Sequence, residues 1–255
     1  MNDLVTLQRH DGVALLTMNR PAKRNALDNA LTGALADRLT ELQRDATCRA
    51  VVISGGRHFC AGGSLDNLST RSLDMRADMR RGHVLIRAII SGRLPVIAAV
   101  EGAAFGAGLS LAAACDFVVA DARATFGAVY GKVGIMPDWA ALWTLPQRIG
   151  LPRTRRFVMF GEVVDGRQAE AIGLVDVLAL GDQVLATALD TARRLAEAAP
   201  GAISATKSFI ARFPLPLDAL LDWEADTQAL LIASEDFSEG RAAFFEKRPP
   251  RFKGT

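Results

Sequence analysis

Two glycine-rich stretches, His58-Phe59-Cys60-Ala61-Gly62-Gly63 and Gly102-Ala103-Ala104-Phe105-Gly106-Ala107-Gly108, each follow a β-branched apolar run, Val51-Val52-Ile53 and Val96-Ile97-Ala98-Ala99-Val100. Short apolar runs bounded by glycine read as buried strands. The glycines after them let bare backbone approach a ligand and leave N–H groups free to point at it. Two such groups converging on one oxygen form an oxyanion hole, which stabilises an enolate or a tetrahedral oxyanion by several kcal/mol. That pattern points to thioester chemistry. Asp138, in Lys132-Val133-Gly134-Ile135-Met136-Pro137-Asp138-Trp139, is an aspartate set among apolar residues. Desolvation by Val133, Met136 and Trp139 raises a carboxyl pKa and makes a better base for a carbon proton acidified by the thioester. An aspartate after proline is also placed to cap a helix, here one opening at Trp139, and the two roles can coexist.

Two other readings of the glycines fail on spacing. Gly106-Ala107-Gly108 lacks the third glycine of a dinucleotide fingerprint, and no acidic residue closes a strand at the required distance. Gly108-Leu109-Ser110-Leu111-Ala112 resembles a nucleophile elbow, but Ala112 replaces its final glycine. His10, His58 and His83 all precede Ser110, whereas an α/β-hydrolase triad places its histidine last.

The elements that must position these residues follow from periodicity. Leu4 to Arg9 and Val13 to Met18 alternate around His10-Asp11-Gly12, a hairpin signature. Asp28 is placed to cap a helix running to about Asp45, with Leu31, Leu35, Leu39 and Leu42 on one face. A strand over Ala50 to Ser54, a helix from Leu73 to Ser91, a strand over Pro95 to Val100, a helix through Leu109 to Ala114 and a strand over Asp116 to Ala120 come next. Repeated strand-helix-strand units favour parallel pairing with right-handed crossovers. From Gly150 onward the pattern predicts mostly helix: Pro152 to Phe160, Arg167 to Ala171, Asp182 to Ala198, Ala202 to Phe213, Leu217 to Ile232 and Ser238 to Phe245.

At 255 residues the chain can bury a sizeable core, and 30 Lys+Arg against 28 Asp+Glu gives no argument for a nucleic-acid partner. Cys48, Cys60 and Cys115 are odd in number, lack metal-ligand spacing and lie in or beside apolar runs. They read as reduced thiols in a cytoplasmic protein. Met1-Asn2-Asp3 does not open a basic-then-apolar signal peptide. Glu101, Asp116 and the glycines in the apolar stretch from Pro95 to Ala120 argue for a strand, a turn and a short helix rather than a membrane span.

Four motifs, in order, resemble the crotonase (enoyl-CoA hydratase/isomerase) family over nearly the whole chain. They are Asn19-Arg20-Pro21 with Arg24-Asn25-Ala26-Leu27, Phe59-Cys60-Ala61-Gly62-Gly63, Pro95 through Gly102 to Asp116, and Phe244-Phe245-Glu246-Lys247-Arg248-Pro249. The resemblance implies an α/β fold, a ClpP-like spiral of ββα units over residues 1–195 with a helical trimerisation region over 196–255. It implies acyl-CoA thioester substrates, assembly as a homotrimer or dimer of trimers, and no metal or redox cofactor, coenzyme A entering only as part of the substrate.

By position, the resemblance assigns the oxyanion N–H groups to Gly63 and Ala107. It places Ala61, Gly62 and Gly106 at the thioester, Arg24 and the backbone of Ala26 at the nucleotide end, with Lys247 at the same phosphates and Phe245 on the adenine. The family's hydratases use two glutamates, and here Ser110 and Tyr130 stand in their places. Syn addition of water needs an acid/base pair around one water molecule, which a serine and a tyrosine with ordinary pKa values supply poorly. The segment around Asp138 is similar to the branch that isomerises ring-epoxidised phenylacetyl-CoA and shifts enoyl-CoA double bonds, and the resemblance implies that Asp138 is the base. The hydratase reaction is the alternative. In the 4-chlorobenzoyl-CoA dehalogenase branch the same aspartate is a nucleophile, with an indole at the Tyr130 position and a histidine at the His83 position. A non-catalytic acyl-CoA binder is a further alternative. Trp139, Trp143, Phe105 and the loop from Leu68 to Arg81 are placed to shape the acyl pocket.

Overall fold

The computed structural model describes residues 3–255. It opens with a hairpin, β1 (Val5–His10) and β2 (Val13–Met18), paired antiparallel from Val5↔Met18 to His10↔Val13. Asp11 and Gly12 both take positive φ, the conformation a two-residue primed turn requires. Helix α1 (Asn29–Arg44) is capped by Asp28, whose carboxylate accepts the Leu31 N–H at 3.0 Å, and its Leu31, Leu35, Leu39 and Leu42 face is buried.

Strand β3 (Ala50–Ser54), helix α2 (Ser72–Ile90), strand β4 (Val96–Val100), strand β5 (Ala103–Phe105), helix α3 (Ala107–Ala114), strand β6 (Phe117–Asp121) and strand β7 (Thr125–Gly127) follow. Next come α4 (Ala141–Ile149), α5 (Leu151–Phe160), β8 (Val163–Asp165), α6 (Gly166–Ala171), β9 (Val177–Ala179) and α7 (Val184–Ala196). The chain closes with α8 (Pro200–Ile210), α9 (Leu217–Ile232) and α10 (Glu235–Glu246).

One sheet runs β1-β2-β3-β4-β6-β9, parallel after the hairpin, and a second runs β5-β7-β8. Alternate residues of the central strands feed two cores, so the strands are apolar on both sides, as parallel strands covered on each face must be. Val51, Ile53, Val96 and Ala98 pack with α1, α2 and α3, while Ala50, Val52, Ile97 and Ala99 pack with Val184, Ala188 and Ala192 of α7.

Two expectations change. The region after Gly150 also contains β8 and β9, which, like β5 and β7, are three residues long and too short to show alternation. Asp138 does not cap a helix through its side chain. Trp139 and Ala140 both adopt left-handed backbone, with φ of 47° and 63°, so α4 begins later, and its flanking residue is Ala140. Asp138 contributes only its backbone carbonyl, which accepts the Ala141 N–H at 2.9 Å, and its carboxylate is left free for other work.

Candidate active site

The two glycine-rich stretches lie side by side. The Cys60 N–H donates to Ala103 O at 2.9 Å and Cys60 O accepts from Phe105 N–H at 3.1 Å, joining the first loop to β5. A Cβ on Gly108 would fall 2.5 Å from Cys60 O and 2.7 Å from Cys60 Cβ, so only glycine lets α3 start this close. The first motif is tied to the same loop. Ala61 N–H donates to Arg24 O at 3.0 Å, Leu27 N–H donates to Gly62 O at 2.8 Å, and buried Asn25 donates its side-chain amide to Gly55 O and His58 O.

Each candidate donor follows a glycine with positive φ: Gly62 at 114° precedes Gly63, and Gly106 at 49° precedes Ala107. These conformations turn the next peptide so that its N–H leaves the local backbone pattern. Among the described residues, neither the Gly63 N–H nor the Ala107 N–H has a backbone acceptor. The Ala107 N–H is also one of the orphan donors at the start of a helix, where the dipole favours negative charge.

Both residues line a cavity of ≈ 250 Å³, together with Ala61, Gly62, Gly106, Tyr130 and Asp138. The remaining wall is apolar and comes from Leu65 and Leu68, Met75 and Met79 of α2, and Val129, Val133, Ile135 and Met136. Burial pushes the Asp138 carboxyl up to about 6, opposed by smaller contributions from its own backbone N–H and from Ser110. Burial also pushes the Tyr130 phenol far above its ordinary range, so it remains an O–H donor. The Tyr130 hydroxyl donates to Gly106 O at 2.8 Å and lies 2.6 Å from Ser110 Oγ, which is itself 3.4 Å from Asp138 Oδ1. Asp138 is the one carboxylate in the lining.

Five of the expected site residues stand elsewhere. Trp139 is buried outside the lining, its indole against Gly82 of α2, because its left-handed backbone turns it into the core. Arg24 touches the first loop through its carbonyl, which accepts the Ala61 N–H, Ala26 N–H donates to Lys23 O, and neither residue lines the cavity. Phe245 and Lys247 lie at the exposed end of α10, outside the cavity. Phe105 packs its ring on Gly127, and Trp143 lines a different hollow with Arg148 and Lys207. His83 is half-buried on α2 and absent from the lining. Cys60, although in the first loop, is no nucleophile: burial pushes its thiol up to about 12. Leu68, Met75 and Met79 of the expected 68–81 stretch do line the cavity, although from Ser72 that stretch is helix α2 and not a loop; Gly82 carries no sequence signal, and its role emerges only once α2 is seen against Trp139.

A larger hollow of ≈ 670 Å³ lies among α8, α9 and α10. Its Asp236 carboxylate is committed to the N–H groups of Lys253 and Gly254, so it offers no comparable base.

Residues 8–255 match the family model described as enoyl-CoA hydratase/isomerase, and the chain belongs to that family, the crotonases. Its α/β architecture is the crotonase fold, and the protein is an acyl-CoA enzyme of this family. It is 37% identical over 256 residues to the 2,3-dehydroadipyl-CoA hydratase of Escherichia coli (strain K12), covering 100% of each chain. It is 33% identical over 261 residues to the 1,2-epoxyphenylacetyl-CoA isomerase of the same organism, again covering 100% of each. Among solved structures, an enoyl-CoA hydratase from Bacillus anthracis superposes with a TM-score of 0.94 at 28% identity, covering 99% of this chain and 100% of the other. Another, from Polaromonas sp. JS666, gives 0.93 at 34% identity, with 97% and 99% covered. Among the described residues no helix is long and apolar enough to cross a membrane.

Proposed function

We propose that the enzyme isomerises an enoyl-CoA or a ring-modified aryl-acyl-CoA through an enolate held by the N–H groups of Gly63 and Ala107. The observation that carries this reading is a cavity with two free peptide donors and one carboxylate, Asp138, whose pKa is raised to about 6. Asp138 takes the proton from the α-carbon, and the C–H electron pair moves into the carbonyl, leaving negative charge on the thioester oxygen. For a 3-enoyl substrate the charge spreads to the γ-carbon. The same carboxyl group returns its proton there as the electrons move back, giving the conjugated 2-enoyl product. One base whose pKa lies near the working pH suffices for both steps. The reaction draws on no metal or redox cofactor.

Hydration requires a second acid/base group to hold and split water. Ser110 and Tyr130 are instead bonded to one another and to Gly106 O. The hydratase names borne by relatives at 37% identity favour the alternative reaction. Mass spectrometry of products from 3-enoyl-CoA, crotonyl-CoA and an aromatic acyl-CoA separates the two. A product of unchanged mass that chromatography resolves from its substrate supports isomerisation, and a gain of one water from crotonyl-CoA overturns it. For dehalogenation, the candidate water-activating His83 is absent from the cavity lining.

The proposed assembly is a homotrimer or a dimer of trimers through residues 196–255. In its support, Leu217, Leu221, Leu230, Ile232 and Phe244 of the last two helices are exposed apolar side chains. Sedimentation of the intact protein checks this, and a monomer at micromolar concentration refutes it.

A further inference from the structure

Ser110 and Tyr130 are buried hydroxyls that touch both halves of the site. Ser110 Oγ is 3.4 Å from Asp138 Oδ1, Tyr130 Oη is 2.6 Å from Ser110 Oγ, and Tyr130 Oη is 2.8 Å from Gly106 O. Gly106 O and the Ala107 N–H belong to the same peptide unit. We propose that this hydroxyl pair couples the base to the oxyanion hole, making the Ala107 N–H a stronger donor once Asp138 has taken the substrate's proton. Ser110 and Tyr130 are thus positioning residues acting through the Gly106–Ala107 peptide. The inference rests on the isomerase reading for its catalytic consequence, though the coupling itself exists without substrate.

Each hydroxyl has one hydrogen, so the chain of contacts can donate in either of two directions. With Asp138 ionised, Ser110 donates to the carboxylate and Tyr130 donates to Ser110 Oγ. Gly106 O then keeps the Ser110 N–H of the helix, at 3.0 Å, and loses the Tyr130 hydrogen; Ser110 Oγ, 3.3 Å from the same carbonyl, is the longer of its two hydroxyl contacts. With Asp138 protonated, the carboxyl O–H donates to Ser110 Oγ, Ser110 donates to Tyr130 Oη, and Tyr130 donates to Gly106 O. No proton leaves either hydroxyl; each O–H turns about its own C–O bond. A second donor on a peptide carbonyl draws density from the nitrogen and strengthens the N–H on its far side, the polarisation that makes hydrogen-bond chains cooperative. The stronger donor therefore coincides with the enolate, and an interaction that grows toward the transition state is the kind that raises kcat. The 3.4 Å separation from Ser110 to Asp138 fits a catalytic contact that tightens when ligand fills the site.

Nothing else in the cavity wall competes for this role. Leu65 and Leu68 from the first loop, and Met75 and Met79 from α2, are apolar, and Tyr130 is the other titratable side chain in the lining. His83 of α2 stays outside it.

The test is the amide spectrum of the intact, ligand-free protein carrying isotope-labelled alanine, followed against pH. The Ala107 amide proton is expected to move downfield as Asp138 protonates, and to lose that titration in Asp138→Asn. Tyr130→Phe removes the shorter hydroxyl contact to Gly106 O, leaving Ser110 Oγ at 3.3 Å, and should move the signal upfield and shrink its titration. Ser110→Ala leaves Tyr130 bonded to Gly106 O and should fix it downfield. A merely structural role gives no reason for opposite displacements, and either variant decides the matter if the other fails to fold. An Ala107 amide that titrates unchanged in either variant, or moves the same way in both, overturns the coupling. In turnover, Tyr130→Phe should lower kcat about tenfold with KM little changed, less than the loss expected for deleting an oxyanion donor. A wild-type protein that shows the amide titration but no isomerase activity would refute the function and leave the coupling standing. Activity without the titration would do the reverse.

Discussion

A Cβ on Gly82 would stand 2.8 Å from Trp139 Nε1 and 2.9 Å from Cε2, so the indole occupies the space that any side chain at position 82 would need. Trp139 is 5% exposed and has positive φ, and it adjoins Asp138. The contact therefore anchors the loop that carries the proposed base. Gly82→Ala should push the rigid ring away, costing about 1–3 kcal/mol in stability as overpacking does. Its larger effect should be on turnover, since small misplacements of a reacting group cost rate steeply. Thermal melts, tryptophan fluorescence and kcat on one sample check both parts, and an unchanged kcat would show that the anchor does not position Asp138.

Asp138→Asn should abolish isomerisation while acyl-CoA affinity is retained. A protein with no turnover to lose, and unchanged affinity, would instead fit a binder. In the wild type, kcat/KM should rise with pH and level off above about 6, as the carboxylate form becomes available. The stability effect has the opposite sense. The folded carboxyl sits at about 6 against an ordinary 3.8, so the native state holds the proton more tightly. Asp138 therefore lowers stability progressively as pH rises through that interval. Relative to wild type, Asp138→Asn should gain on the order of 2 kcal/mol between about pH 4 and pH 8, allowing for partial solvent access. Denaturant melts at the two pH values measure it.

Ala107→Pro deletes one oxyanion donor at the first position of α3, where proline suits helix geometry. Its kcat/KM should fall by about 10² or more, with the melting temperature little changed. Retained activity would remove Ala107 from the mechanism.

Lys207 of α8 is buried, and its ammonium donates to Leu94 O at 2.6 Å and to the Asp116 carboxylate, which also accepts the Val96 N–H. Lys207→Met should cost about 3 kcal/mol by stranding that carboxylate. Adding Asp116→Asn should recover part of the loss in chemical denaturation.

The hairpin, α1 and the five-residue strands β3 and β4 were legible because their apolar periods and turn residues agree. The seven lining residues from Ala61 to Asp138 were legible through motif position, since backbone donors tolerate exchange of their side chains, as Ala107 illustrates. The three-residue strands have no period to read. Trp139 misled because its place in the core depends on left-handed backbone and a partner glycine on α2, neither of which local spacing encodes. Phe245 and Lys247 belong to an exposed helix end outside the cavity lining.

Cys60 and Phe105 lock the two glycine loops together through main-chain bonds, and Gly108 closes the seam against Cys60. The proposed cradle for negative charge is thus a fixture of peptide geometry, insulated from drift in neighbouring side chains. Exchange at positions 110, 130 and 138 would change the hydroxyl and carboxylate groups beside the two loops while leaving that peptide framework in place.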